Sequence, residues 1–94
     1  MSIPVGLSTA CVVPGSVPDT FAIAQDLGYD GVEIMVWSEK ASQDATRLAA
    51  LVEKFDQPVL AVHAPTLLVT RGVFGVDPWD KVDRSIELAH YLEA

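Results

Sequence analysis

The segment Gly31-Val32-Glu33-Ile34-Met35-Val36-Trp37 decides the fold, because it is a short apolar run interrupted by a single carboxylate. A run of this kind predicts a strand buried on both faces, which is typical of parallel sheets. Val59-Leu60-Ala61-Val62-His63 has the same character, and Val5–Ala10 alternates between apolar and small or polar residues. The sequence therefore predicts three strands, with starts near residues 4, 31 and 59.

Helical patterns follow each predicted strand. Ser16 and Asp19 have the spacing of a capping box, and Gly28 suits the left-handed end of that first helix, whose stripe includes Phe21 and Ala24. Ser42 precedes a second helix, which the segment Asp56-Gln57-Pro58 ends. Its predicted buried face consists of Ala45, Leu48, Ala49, Val52 and Phe55.

A long loop over residues 64–76 leads to a third predicted helix. Asp77 is its expected N-cap and Pro78 its first residue, where the missing N–H has no consequence. Its predicted inner stripe consists of Val82, Ile86 and Ala89, flanked by Leu88, Tyr91 and Leu92.

The order β-α-β-α-β-α predicts an α/β fold with parallel strands, and specifically the first three β-α units of a TIM-type (β/α)₈ barrel. Residues 1–94 are then the N-terminal part of a single barrel domain. A three-stranded parallel sheet leaves an open edge and a face without cover, so we expect further chain downstream. The alternative is a small complete α/β domain stabilised by oligomerisation.

Composition excludes several classes of protein. The 94 residues are 50% hydrophobic and carry a formal net charge of −7, with only six lysines and arginines, so binding to nucleic acid is disfavoured. The single cysteine, Cys11, permits no intrachain disulfide and suits a reducing cytosol. The first residues do not resemble a signal peptide, and no apolar run has the length of a membrane helix. We expect a cytoplasmic protein.

Candidate site residues lie at the carboxyl ends of the predicted strands, where parallel α/β folds place their active sites. His63 ends the third strand and is either a metal ligand or a histidine at the rim of the core. Glu33 lies within the second strand, on the same side as Met35 and Trp37, and faces the barrel interior if the odd positions do. It either binds a ligand or makes a structural ion pair or hydrogen bond.

Other side chains are weaker candidates. Arg71, in the long loop, is either a clamp for a substrate phosphate or carboxylate or a solvated arginine. Trp37 and Trp79 either line a sugar pocket or pack structurally. Cys11 is expected to be a buried small residue, and His90 a surface residue.

Three segments carry a resemblance to a known family. Gly28-Tyr29-Asp30-Gly31-Val32-Glu33-Ile34, Val62-His63-Ala64-Pro65 and Ser85-Ile86-Glu87-Leu88-Ala89 occur in order along nearly the whole chain. Together they resemble the sugar phosphate isomerase/epimerase family of xylose-isomerase-like TIM barrels, which is related to the type-two apurinic endonucleases. The resemblance would cover the first three-eighths of a family member.

The resemblance implies a divalent metal ion at the top of the barrel and proton transfer between adjacent carbons of a sugar, a sugar phosphate or a related hydroxy-carbonyl compound. His63 matches a histidine that binds metal in the endonuclease branch and lines the substrate pocket in many isomerases. Glu33 matches the strand-two glutamate of the family. The expected roles are metal binding for His63 and substrate binding for Glu33, Trp37 and Arg71.

Most catalytic groups of the family come from later strands, so no catalytic residue is expected within residues 1–94, and the chain alone is expected to be inactive. Two alternatives to an isomerase or epimerase remain. One is an apurinic endonuclease-like phosphodiesterase, which a net charge of −7 disfavours. The other is a non-catalytic chain that associates with itself or with a complementary part of a barrel.

Overall fold

The computed structural model describes residues 3–12, 15–65 and 72–94. Three strands form one parallel sheet in the order β1-β2-β3, and a helix follows each strand, so the predicted α/β class and the parallel strands are confirmed. The strands are β1 (Gly6–Ser8), β2 (Gly31–Met35) and β3 (Val59–His63). The helices are α1 (Val17–Leu27), α2 (Ala45–Phe55) and α3 (Pro78–Tyr91).

The caps of α1 and α3 form as predicted. The Ser16 hydroxyl accepts the Asp19 N–H, and the Asp19 carboxylate accepts the Ser16 N–H at 2.9 Å, which completes the capping box. Gly28 ends α1 with φ of 77°, a left-handed conformation that glycine adopts without strain. Asp77 caps α3 by accepting the Trp79 N–H at 2.9 Å.

The start of α2 differs from the prediction. Its N-cap is Asp44, which accepts the Arg47 N–H at 3.1 Å, whereas Ser42 is buried in a 3₁₀ helix over Lys40–Gln43. The sequence offers two capping side chains two residues apart. The Ser42 hydroxyl instead accepts the Trp37 N–H at 3.1 Å, just after β2, and Asp44 caps the helix. The helix ends as predicted, before Asp56, whose φ is 51°.

Two strands are shorter than predicted. β1 ends at Ser8 rather than Ala10, because the Ser8 hydroxyl accepts the Ala10 N–H at 3.2 Å and turns the chain into a 3₁₀ helix over Thr9–Cys11. β2 ends at Met35 rather than Trp37, although the Val36 N–H still donates to the His63 carbonyl at 3.0 Å. The strand ends therefore belong to turns that carry polar side chains.

The core lies between one face of the sheet and the helices. Val32, Ile34 and Val36 are fully buried on this face, together with Phe21 of α1 and Leu48 of α2. The other predicted residues of the α2 stripe are partly buried, which confirms that stripe: Ala45, Val52 and Phe55 pack against the same cluster, and Ala49 is half-buried. The alternation in β2 thus assigns its even positions to the core.

The predicted inner stripe of α3 is wrong. Ser85 and Leu88 are its buried residues, whereas Val82 and Ile86 are 42% and 62% exposed. Apolar spacing favours the stripe through Val82 and Ile86 because it counts Ser85 as polar. The Ser85 hydroxyl, however, donates to the Lys81 carbonyl at 2.7 Å, so the side chain can be buried at little cost.

The opposite face of the sheet carries the odd residues of β2. Ser8 pairs with Glu33, Glu33 with Ala61, and Met35 with His63 in the register of the sheet. Glu33 and Met35 are half-buried there, and Ala61 and His63 are exposed. We call this surface the open face. The prediction that Glu33 shares one side of β2 with Met35 is confirmed, since Val32 and Ile34 are buried on the other side.

Leu60 occupies the amino-terminal end of the open face. A register irregularity between Val32 and Glu33 brings its side chain beside two glycines, Gly6 and Gly31, where its Cδ1 would lie 3.1 Å and 3.2 Å from added Cβ atoms. The glycines thus leave room for an apolar side chain that fills one end of this face. The polar side chains of the open face, Ser8, Glu33 and His63, lie toward its carboxyl-terminal end.

Val5 and Asp30 join the segments that enter β1 and β2. The Val5 N–H donates to the Asp30 carboxylate at 2.7 Å, and the Asp30 N–H donates to the Val5 carbonyl at 2.9 Å. We call this pair of hydrogen bonds the entry clamp. Each of the two residues donates one hydrogen bond and accepts the other, so the clamp fixes the register in which β1 begins beside β2.

Candidate functional site at the carboxyl edge of the sheet

All three strands run in the same direction, so their carboxyl ends meet at one edge of the sheet. β1 ends at Ser8, β2 at Met35 and β3 at His63, and the polar side chains of the open face are concentrated at this edge. Ligands of open parallel sheets bind outside this edge. The topology therefore brings together two of the predicted site residues, Glu33 and His63, and places Trp37 just beyond the end of β2.

Glu33 is held by a serine that the sequence analysis did not select. The Ser8 hydroxyl donates to Glu33 Oε1 at 2.8 Å across the β1–β2 pair. The two residues are register partners, which explains how a contact forms between positions 25 residues apart. The structure thus shows the hydrogen bond expected of a carboxylate in an apolar strand, and this bond leaves one carboxylate oxygen to interact elsewhere.

Thr9 joins the turn after β1 to the end of β2. Its hydroxyl accepts the Met35 N–H at 2.9 Å, and the side chain is buried. This bond replaces the backbone partner that β1 would supply if it continued. The turn that carries Ser8 and Thr9 is therefore fixed to the strand that carries Glu33.

Trp37 is positioned through its backbone. Its N–H donates to the Ser42 hydroxyl at 3.1 Å, and its carbonyl accepts the Gln43 side-chain amide at 2.8 Å. Ser42 is fully buried and its hydroxyl also lies 2.7 Å from the Glu39 carbonyl. The half-buried indole is thus carried on a turn whose backbone makes several hydrogen bonds.

Glu39 follows the same turn but has a structural role. Its carboxylate accepts the Val17 N–H at 3.0 Å, at the start of α1. A carboxylate beside the first turn of a helix is stabilised by the unpaired N–H groups there. Glu39 therefore ties the β2–α2 connection to α1 and is engaged away from the open face.

His63 lies beside Met35 at the end of β3, and its side chain is exposed. It is a diagonal neighbour of Glu33 on the open face, at about 8 Å between Cα atoms for standard strand spacings. Within residues 3–12, 15–65 and 72–94, no group of three or more histidine, cysteine, aspartate or glutamate side chains could hold a metal ion. Catalytic metal sites use about three protein ligands, so these residues do not form such a site by themselves.

The remaining candidates are Arg71, Trp79, His90 and Cys11. Arg71 lies outside the described residues. Trp79 is 75% exposed at the start of α3, and His90 is exposed, as predicted. The expectation that Cys11 is buried is wrong, because it is exposed at the end of the 3₁₀ helix that follows β1.

A cavity of about 410 Å³ lies between the start of α2 and the second half of α3. Ala45, Phe74 and Leu88 give it an apolar wall, and Arg84 lies over the Phe74 ring at 5.8 Å. None of Glu33, Trp37 and His63 lines it. Gln43, whose side-chain amide donates to the Trp37 carbonyl, does line it, so the cavity borders the turn that carries Trp37.

Comparison with known proteins finds long mycobacterial relatives. An uncharacterized protein of Mycobacterium tuberculosis (strain H37Rv) is 48% identical over 93 residues, which are 99% of this chain and 33% of that protein. An uncharacterized protein of Mycobacterium leprae is 48% identical over 92 residues, 98% of this chain and 33% of that protein. This chain therefore spans about a third of the length of the curated relatives it matches. No family model and no solved structure matches the sequence.

Sequence reasoning missed Ser8, Ser42 and Gln43 as site residues. Their one available signal is position: Ser8 lies near the end of the predicted strand Val5–Ala10, and Ser42 and Gln43 lie in the connection after the second predicted strand. Short hydroxyl residues are common in turns, so this position alone does not separate a site residue from a turn residue.

In the described part of the chain no helix is long and apolar enough to cross a membrane.

Proposed function

We propose that this chain forms part of a sugar or sugar-phosphate isomerase or epimerase and contributes residues that bind the substrate. The observation that carries the proposal is the Glu33 carboxylate, which lies on the open face with one oxygen engaged by Ser8 at 2.8 Å. A fixed carboxylate at the carboxyl edge of a parallel sheet is suited to accept hydrogen bonds from the hydroxyl groups of a sugar.

The corresponding proposal for the fold is the first part of a TIM-type (β/α)₈ barrel. Three observations support it: the order of three adjacent parallel strands, the open face, and the exposed apolar residues of α3. The relatives support it too, since 93 matched residues at 33% of their length make them about 280 residues long. A barrel of this type typically has about 250 residues.

Three of the predicted site residues have a defined task in this proposal. Glu33 accepts hydrogen bonds from ligand hydroxyls, and Trp37 offers an apolar surface to the C–H groups of a sugar ring. His63 binds at the same edge, as a hydrogen-bonding group or as one ligand of a divalent metal ion that polarises substrate oxygens. At least one of the other metal ligands would come from outside the described residues, since these hold no group of three. Localisation in the cytoplasm belongs to the same proposal.

The test uses a full-length polypeptide that carries this sequence. It is incubated in D₂O with a panel of aldoses, ketoses and their phosphates, with Mg²⁺, Mn²⁺, Co²⁺ or Zn²⁺ added. We expect deuterium to enter one substrate at a carbon next to the carbonyl, as NMR detects. In Glu33→Gln we expect KM to rise about tenfold or more, because a charged hydrogen bond contributes about 1.5–3 kcal/mol.

Glu53→Gln is the matched control, because Glu53 is an exposed residue of α2 and the change removes the same charge. It should leave KM unchanged. Failure of every substrate to exchange, or an unchanged KM in Glu33→Gln, would contradict the proposal. Cleavage of DNA at abasic sites by the same polypeptide would replace it with the endonuclease alternative.

Exposed apolar residues of α3 favour a second proposal, self-association of the 94-residue chain. Trp79, Val82 and Ile86 are 75%, 42% and 62% exposed, and their spacing places them on one side of the helix. We expect analytical ultracentrifugation to show concentration-dependent association, which Ile86→Ser weakens because it removes apolar surface. Glu87→Ser, at an exposed polar position of the same helix, is the control. A wild-type chain that stays monomeric at all concentrations would rule this proposal out.

A further inference from the structure

We propose that Ser8 is a positioning residue, which holds Glu33 so that its second carboxylate oxygen faces the ligand. This inference rests on the proposed function for the identity of the ligand, a polyhydroxyl compound. It adds a residue from β1 to a site that the sequence analysis built from later parts of the chain. Its physical basis is the direction of the hydrogen bonds at the Ser8 hydroxyl.

The Ser8 hydroxyl has one proton, and the structure fixes where that proton goes. Its oxygen accepts the Ala10 N–H at 3.2 Å and lies 2.8 Å from Glu33 Oε1. A carboxylate accepts hydrogen bonds and does not donate them, so the hydroxyl proton points to Glu33. Because the backbone of the 3₁₀ helix holds the serine oxygen on one side, the serine holds the glutamate on the other.

This arrangement leaves Glu33 Oε2 as the atom for a ligand. Among the described residues, the hydrogen bond that Glu33 makes is the one through Oε1. Its neighbours on the open face are Met35, Ala61 and His63, of which Ala61 and His63 are exposed. A carboxylate oxygen at this place has room for a hydroxyl donor, and its direction is set before the ligand arrives.

The register of the sheet explains why Ser8, and not its neighbours Leu7 and Thr9, holds the Glu33 carboxylate. Ser8 pairs directly with Glu33, and Leu7 pairs with Val32 on the helix-covered side. Thr9 is engaged by the Met35 N–H. Ser8 is therefore the residue of β1 whose side chain can reach the Glu33 carboxylate from within the sheet.

The first measurement needs no ligand. In the 94-residue chain, the ¹³C resonance of the Glu33 carboxyl carbon is assigned through its loss in Glu33→Gln. Ser8→Ala is expected to move this resonance, and Ser8→Thr, which keeps a hydroxyl, is expected to restore it. The matched control, Thr46→Ala, removes an exposed hydroxyl from α2 and should leave the resonance in place.

The second measurement uses the full-length polypeptide and the sugar or sugar phosphate that exchanges deuterium. Ser8→Ala is expected to raise KM about three- to tenfold with kcat little changed, the size of one neutral hydrogen bond, and Ser8→Thr should recover most of the loss. A Glu33 resonance that is the same in Ser8→Ala and in the wild type overturns the inference. A resonance that moves while no sugar binds supports positioning by Ser8 and contradicts the proposed function.

Discussion

Replacement of Gly31 by alanine is expected to destabilise the fold by about 3 kcal/mol, the upper part of the range for overpacked sites. An added Cβ would clash with the Pro58 carbonyl oxygen and would lie 2.7 Å from Leu60 Cγ. The carbonyl cannot move away freely, because it accepts the Val32 N–H at 2.9 Å. Urea unfolding followed by circular dichroism measures the loss.

Gly72→Ala is the matched control, because an added Cβ at Gly72 meets no atom of the described residues within 4 Å. We expect it to change the free energy of unfolding by less than about 0.5 kcal/mol. Adding Leu60→Ala to Gly31→Ala should recover only part of the loss, since the clash with the Pro58 carbonyl remains. If Gly31→Ala were as stable as Gly72→Ala, the close approach of β2 and β3 would be wrong.

Phe21→Ala is expected to cost about 3–5 kcal/mol, the usual loss for a fully buried phenylalanine. Phe21 has no exposed surface, and its ring lies 6.4 Å from that of Phe55, so it joins α1 to α2 above the sheet. Truncation leaves a cavity between two helices that pack on the same face. The midpoint of urea unfolding should fall steeply, and the near-UV circular dichroism of the aromatic residues should weaken.

Leu27→Ala tests whether burial, rather than apolar character, decides this effect. Leu27 lies on the same helix and is 70% exposed, so its truncation should change stability by no more than about 0.5 kcal/mol. If Leu27→Ala lowered the free energy of unfolding as much as Phe21→Ala does, α1 would pack on the sheet through a different side of the helix.

Local signals in the sequence were sufficient for both ends of α1, for the end of α2, for the start of α3 and for the sides of β2. The capping box of Ser16 and Asp19, the left-handed Gly28 and the Asp77 cap each depend on residues close in sequence, so their chemistry can be recognised without the fold. The same holds for Glu33, because strand alternation assigns it to the face opposite Val32 and Ile34.

Contacts between distant residues were not predictable in this way. The hydrogen bond from Ser8 to Glu33 depends on the register of two strands, and a single strand pattern does not specify its partner's register. The rotation of α3 depends on Ser85 satisfying its hydroxyl within the helix, which apolar spacing does not measure. Ser42 and Asp44 are both good N-caps, and only the turn after β2 decides between them.

The entry clamp has a consequence for the opposite end of the sheet. Side chains alternate along a strand, so sliding β1 by one residue would exchange its two sides and turn the Ser8 hydroxyl away from Glu33. β1 has only three residues, so its own hydrogen bonds to β2 are too few to prevent such a slip. The two Val5–Asp30 hydrogen bonds hold this register. The position of the Ser8 hydroxyl at the carboxyl edge therefore depends on Asp30, which precedes β2 at the other end of the sheet.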